Sequence, residues 1–194
     1  MTSDRPPVAD QTDTRADTKA NQRPDKRQDN CPGQRPGQGP GQRPLIWVDA
    51  DSFPAKARDL LLKTAGGKGL RVIYVANHDI PFSLSNPLFE MQICPQTPGA
   101  ADDCIAGNCE PGDIAATRDI PLAARLVDKG VHVINDRGVR YDKRTVEKRL
   151  KERELSLQME ALGLHTGHSR EGYGGRDLDA FGKCLHALLA SLGL

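Results

Sequence analysis

Short apolar runs, each ending in polar or acidic residues and followed by a stretch of helical character, constrain this chain more than any other feature. The first is Leu45-Ile46-Trp47-Val48, entered from Pro44 and closed by Asp49-Ala50-Asp51-Ser52-Phe53-Pro54. A run of that length between turn residues reads as a buried strand leading into a helix start. Residues 71–76 repeat the pattern and end at Asn77-His78-Asp79; residues 113–117 and 131–134 repeat it again, the last ending at Asn135-Asp136. A further short strand is expected at 88–93, inside a region punctuated by prolines. Helical stretches lie between them at 55–65, stopped by Gly66-Gly67, at 99–109 and from Asp119 to Gly130. A long charged helix at 142–162 and a last helix at 176–192 follow, the latter with Phe181, Leu185, Leu188, Leu189 and Leu192 as its packing face. Strands alternating with helices predict an α/β fold with a mostly parallel sheet covered on both faces.

The chain has 194 residues, of which 37% are hydrophobic, enough for one medium core. That core is expected to occupy residues 45–194. Residues 1–44 are rich in Pro, Gln, Gly, Arg and Asp, with Val8 as their only branched aliphatic residue. Such a tract cannot bury enough apolar area to offset the entropy of ordering it, so a disordered, solvated tail is expected. No segment approaches the roughly 20 apolar residues that span a bilayer, and the N-terminus has no apolar signal-peptide core. The five scattered cysteines suit reduced thiols, and a cytoplasmic protein with no membrane partner is expected. The net charge of +1 implies nothing about partners, so any nucleic-acid argument must be local.

Acids recur just after strands or in the first turn of the next helix: Asp49 with Asp51, Asp102 with Asp103, and Asp119. In a parallel sheet, ligands gather outside the carboxyl ends of the strands. The topology would therefore bring Asp49, Asp102 or Asp103, and Asp119 to one rim, with Asp51 a turn beyond Asp49. Mg²⁺ or Mn²⁺ takes carboxylate and phosphate oxygens, and a cation at that rim could polarise a phosphodiester. Each acid also has a structural explanation. Asp51 or Ser52 could cap the next helix, Asp119 is a good N-cap ahead of Pro121, and Asp102 and Asp103 could complement a helix dipole. Asp113 begins its strand, at the opposite end from the others, and reads as a structural residue with Gly112.

Between 137 and 153 lies a local excess of cations, beginning Arg137, Arg140, Lys143, Arg144. It is the stretch that could follow a phosphate backbone, Arg137 best of all because it comes straight after a strand end. The competing explanation is an exposed helix laced by pairs such as Glu147 with Lys151. His165 and His168 lack a third nearby ligand, and Tyr173 or Phe53 could stack on a base, although no stacking platform is visible.

The order of motifs is distinctive: Val48-Asp49-Ala50-Asp51-Ser52-Phe53-Pro54, then Ala101-Asp102-Asp103-x-Ile105, then Gly112-Asp113-Ile114-x-x-Thr117-x-Asp119-Ile120-Pro121-Leu122-Ala123. Gly130 and Arg137-Gly138-x-x-Tyr141 come next. Together these closely resemble the bacterial YaiI/YqxD family of uncharacterised proteins, a branch of the PIN-like nuclease superfamily. The resemblance covers about residues 45–190, including Arg153, Gly163, Gly167, Asp177 and Phe181. It implies a three-layer α/β/α PIN-like fold with C-terminal helices and a divalent-metal nuclease site at Asp49, Asp102 or Asp103, and Asp119, with Asp51 nearby. Two departures stand out: Gly99 replaces an acid that relatives carry three residues before Asp102, and Ser52-Phe53 replaces Ala-Cys.

Three functions are therefore in competition. The first is a Mg²⁺- or Mn²⁺-dependent nuclease acting on RNA or single-stranded DNA. In it Asp49, Asp102 and Asp119 hold the metal, Asp51 and Asp103 assist, and Arg137, Arg140, Lys143 and Arg144 meet the nucleic acid. The second is a catalytically silent module of the same fold that binds nucleic acid or protein. The third is a phosphatase of the haloacid-dehalogenase type, in which Asp49-x-Asp51 supplies the nucleophile and Thr117 binds phosphate.

Overall fold

The computed structural model describes residues 43–163 and 172–194. Most of the expected tail, with Cys31, and the loop carrying His165, Gly167 and His168 lie outside the described residues. The elements run β1 (Ile46–Asp49), α1 (Ala55–Gly67), β2 (Val72–Ala76), β3 (Phe89–Ile93), α2 (Ala100–Asn108) and β4 (Ile114–Ala116). Then come α3 (Ile120–Asp128), β5 (His132–Ile134), β6 (Arg140–Tyr141), α4 (Lys143–Ala161) and α5 (Gly175–Ser191).

The six strands form one sheet in the order β3-β2-β1-β4-β5-β6. The first five are parallel, with Asp49 level with Val75 on one side of β1 and Val48 level with Ala116 on the other. β6 returns antiparallel to β5. This two-residue strand is not anticipated from the sequence, being too short to carry a period-2 pattern. The expected stop at Gly66-Gly67 also shifts. α1 runs through both glycines and the chain turns at Gly69, whose φ of 65° is left-handed.

Alternate residues of each strand feed opposite faces, as the pleat requires. Ile46, Val48, Val72, Tyr74 and Ile114 pack with α1 and α5 side chains such as Leu61, Phe181 and Leu185. Trp47, Ile73, Val75, Ala115 and Val133 pack on the other face with Ile105, Leu122, Leu126 and Val146 of α2, α3 and α4. Three layers result, α/β/α, as expected. Strand order reverses at β1, between β2 and β4. That reversal leaves a crevice at the carboxyl ends, where chains leaving neighbouring strands diverge to opposite faces.

Candidate functional site

Asp49 is the last residue of β1, and its side chain is 5% exposed. Its Oδ2 accepts from the Ser52 hydroxyl at 2.5 Å and from the Thr117 hydroxyl at 2.8 Å. Burial pushes its pKa up, and the hydrogen bonds from Ser52 and Thr117 pull it part of the way back. Thr117 follows β4 and also accepts from the backbone N–H of Asp119 at 2.9 Å. Asp119 caps α3, its Oδ1 accepting from Leu122 N at 2.7 Å, with Pro121 in the first turn as expected. Asp51 accepts from Asn77 N at 2.8 Å and lies 3.1 Å from His78 Nδ1.

Asp49, Asp51, Ser52, Asn77 and Asp119 line one cleft of about 420 Å³, whose far wall is residues 96–102; Thr117 lies behind Asp49, outside the lining. The wall includes Gly99, the N-cap of α2, whose φ of 79° is a conformation that disfavours the acid the family resemblance would place there. Asp102 lines the cleft from the first turn of α2. Burial, then the charges of Asp119 and Asp49, raise its pKa to about 6, with Arg125 opposing. Asp102 thus feels the charges of both Asp119 and Asp49 across this crevice. Asp103 is not in the lining: it is exposed and pairs with Arg125 at 2.9 Å. Among the described residues no group of three or more His, Cys, Asp or Glu side chains is already arranged to hold a metal ion.

Asp113 sits at the other end of the sheet, as expected, and its role is structural. It accepts from Leu45 N at 3.1 Å, Trp47 Nε1 at 3.2 Å and Glu110 N at 3.0 Å. Thr117, given a phosphate-binding role by the phosphatase reading, instead spends its hydroxyl on Asp49 and on the amide of Asp119.

A curated family model described as "Uncharacterized BCR, YaiI/YqxD family" matches residues 47–191. The chain belongs to the YaiI/YqxD family. It is 42% identical over 147 residues to a UPF0178 protein of Psychrobacter cryohalolentis, covering 74% of this chain and 98% of that relative. It is 39% identical over 145 residues to one from Treponema denticola, covering 75% and 91% respectively. A third, from Xanthomonas oryzae pv. oryzae, is 38% identical over 149 residues, covering 75% and 89%.

The match to the YaiI/YqxD model spans every residue of the cleft. It also spans two residues that sequence reasoning passed over. Asp136, just beyond β5, is 3% exposed, and burial raises its pKa against the pull of Arg118 and Arg137. Arg118 lies between Thr117 and Asp119. Its Nε is 3.4 Å from Asp136 Oδ2, and its Nη1 donates to the Ser52 carbonyl at 3.4 Å. The available signal was positional, an arginine between two site residues and an acid one past a strand end.

None of the expected nucleic-acid residues lines the cleft. Arg137 does follow the end of β5, its amide donating to Asn135 Oδ1 at 3.0 Å. Arg140 on β6 meets His132 Nδ1 at 3.2 Å. Lys143 pairs at 3.5 Å with Asp128, the last residue of α3, at the end away from Asp119. Arg144 lies on α4 beside Glu147 and Lys148.

Proposed function

We propose that this protein is a divalent-metal-dependent phosphodiesterase acting on RNA or single-stranded DNA, with its site in the β1/β4 cleft. One observation carries the reading. Asp49, Asp102 and Asp119 come from three separate elements yet line one cleft, where the charges of Asp119 and Asp49 add to burial in raising Asp102 to about 6. That repulsion on Asp102 is a cost which a bound cation would remove. The resemblance of its motifs to those of PIN-like nucleases supports the same reading.

The candidate ligands Asp49, Asp102 and Asp119 offer only oxygen, which suits Mg²⁺ or Mn²⁺ and not a softer metal. Such an ion supplies Lewis-acid polarisation of a phosphoryl oxygen and lowers the pKa of its water. The protein's own part follows from the geometry. Ser52 and Thr117 fix the Asp49 carboxylate in one orientation. Asp51, on the same cleft and outside the ligand set, would orient the water that attacks the phosphodiester. Arg118, half-exposed beside Ser52, supplies positive charge for a phosphate at the cleft's lip.

Cleavage of a labelled RNA oligonucleotide in Mn²⁺ by the native protein, abolished in Asp49→Asn/Asp119→Asn, is the expected result. Equal cleavage by both, or by neither, rejects the reading. The silent-module alternative draws on the capping bond of Asp119 and the structural partners of Asp51. It predicts that EDTA changes neither melting temperature nor RNA affinity.

A further inference from the structure

α4 is 19 residues long, yet Val146 is its single buried residue. Its first half packs on α3, with Leu150 lying partly against the core. Among the described residues its second half has no such cover: Leu155 is 58% exposed, Leu157 50% and Leu162 75%. Isolated leucines on a surface need no explanation, but Leu155 and the C-cap Leu162 fall on one side of the helix, two turns apart, while Leu157 falls on the side of Val146 and Leu150. At 100° per residue, Leu155 and Leu162 share a face with Arg144, Lys148 and Lys151, the side opposite Val146 and Leu150. That face therefore reads cationic along its first half and apolar along its second.

The charges have the same polarity. Residues 143–151 carry Lys143, Arg144, Lys148, Arg149 and Lys151 against Glu147. Residues 152–161 carry Glu152, Glu154 and Glu160 against Arg153. Glu152 already answers cations from its own first half, at 3.2 Å to Arg149 and 3.9 Å to Lys148. A parallel partner helix would set like charges against like. An antiparallel copy of the same helix sets each cationic half against Glu152 and Glu154, which flank the Leu155 side, while Glu160 points away. It also lays the aliphatic stems of Lys148 and Lys151 over the partner's Leu155 and Leu162, with the Lys151 ammonium within reach of its glutamates and Lys148 exchanging its loose 3.9 Å pair with Glu152 for one across the interface.

We propose that α4 is a self-association surface, and that two copies of this chain pair through antiparallel α4 helices about a two-fold axis. Such an interface is isologous, each face meeting itself, as closed dimers require. A helix of this length offers about 28 Å of contact, which sets the interface at the small end of stable dimers and makes it concentration-dependent. A nucleic acid would answer the cations and leave the leucines in water. The second copy answers both.

Sedimentation equilibrium of the full chain over a wide concentration range tests this. The native protein should show a reversible monomer–dimer equilibrium. Leu155→Glu/Leu162→Glu should weaken it at least about tenfold, with helix content by circular dichroism unchanged. Lys148→Glu/Lys151→Glu and Glu152→Lys/Glu154→Lys should each be monomeric alone, and mixing the two should restore a dimer. Because that rescue requires both variants folded, it separates lost complementarity from lost structure. A native protein monomeric throughout, leucine variants that dimerise normally, or no rescue on mixing overturns the proposal. So does a monomer whose RNA affinity falls in Lys148→Glu/Lys151→Glu, since that gives the face to nucleic acid.

Discussion

Thr117 joins two neighbouring strands at their carboxyl ends, its hydroxyl donating to Asp49 Oδ2 at 2.8 Å while accepting from the amide of Asp119 at 2.9 Å. One buried hydroxyl thus holds an acid of β1 and the backbone of the α3 cap in register. Thr117→Val keeps the shape and removes both bonds. The cost is expected to be about 1–3 kcal/mol, because a buried carboxylate loses a donor and an amide loses its acceptor. Urea denaturation of the two proteins at pH 7 measures it. The loss should shrink as pH falls and Asp49 takes up its proton, since the hydrogen bond it forfeits favours the charged form.

Asp102 makes stability depend on pH in a definite direction. Its folded pKa of about 6 is above its ordinary value, so between about 4 and 6 the folded state holds more protons than the unfolded. Stability therefore falls as pH rises through that window. Asp102→Asn should melt higher than the native protein at pH 7 and equally at pH 4. The gain is about 1 kcal/mol, well under the full linkage value because a partly exposed carboxylate is screened by solvent. Saturating Mn²⁺ should reverse the order at pH 7, by raising the native protein's melting temperature and leaving the variant's behind. Differential scanning calorimetry with and without Mn²⁺ checks both statements.

Asp113 separates structural acids from those of the cleft. Asp113→Ala strips three backbone and indole donors of their acceptor at the amino end of the sheet, among them buried Trp47. A loss of about 3 kcal/mol or more is expected. Mn²⁺-induced stabilisation, read as the shift in melting temperature, should survive in whatever fraction remains folded. An Asp113→Ala protein that folds normally but no longer responds to Mn²⁺ would move this acid into the site.

The alternation of strands and helices was legible because buried parallel strands are compact apolar runs, and here each ends in polar residues. Asp119 was legible as a cap for the same local reason, Asp before Ile-Pro-Leu. The position of Asp113 followed from which end of its strand it occupies. What could not be read was contact made across the sheet edge. The Thr117–Asp49 bond joins residues 68 apart, and the Arg118–Asp136 pair joins β4's exit to β5's. The basic run after Arg137 looked continuous in sequence. β6 and α4 distribute it along two directions, so that Lys143 ends beside Asp128 and not beside the acids. Asp103 was indistinguishable from Asp102 until the helix phase turned it towards Arg125.

Gly138 shows how the end of β5 is locked to the last helix. Its φ is 76°, in the left-handed region, and a Cβ there would overlap the carbonyl of Ala180 and lie 2.9 Å from Phe181 N. The obstruction is helix backbone, which cannot swing aside as a side chain would. Gly138→Ala must therefore push α5 away from the sheet. That motion pulls on Phe181, fully buried and edge-on to Phe53 at 5.4 Å between ring centres, and Phe53 closes the turn that carries Asp49 and Ser52. It also disturbs the Tyr173 hydroxyl, which donates to the Asp136 carbonyl at 3.1 Å. A destabilisation of about 3 kcal/mol is expected from strain and lost packing together, large for a single added methyl group. Thermal denaturation of Gly138→Ala measures it. If α5 is free to shift, the loss will be only about 1–2 kcal/mol, the cost of the left-handed backbone alone.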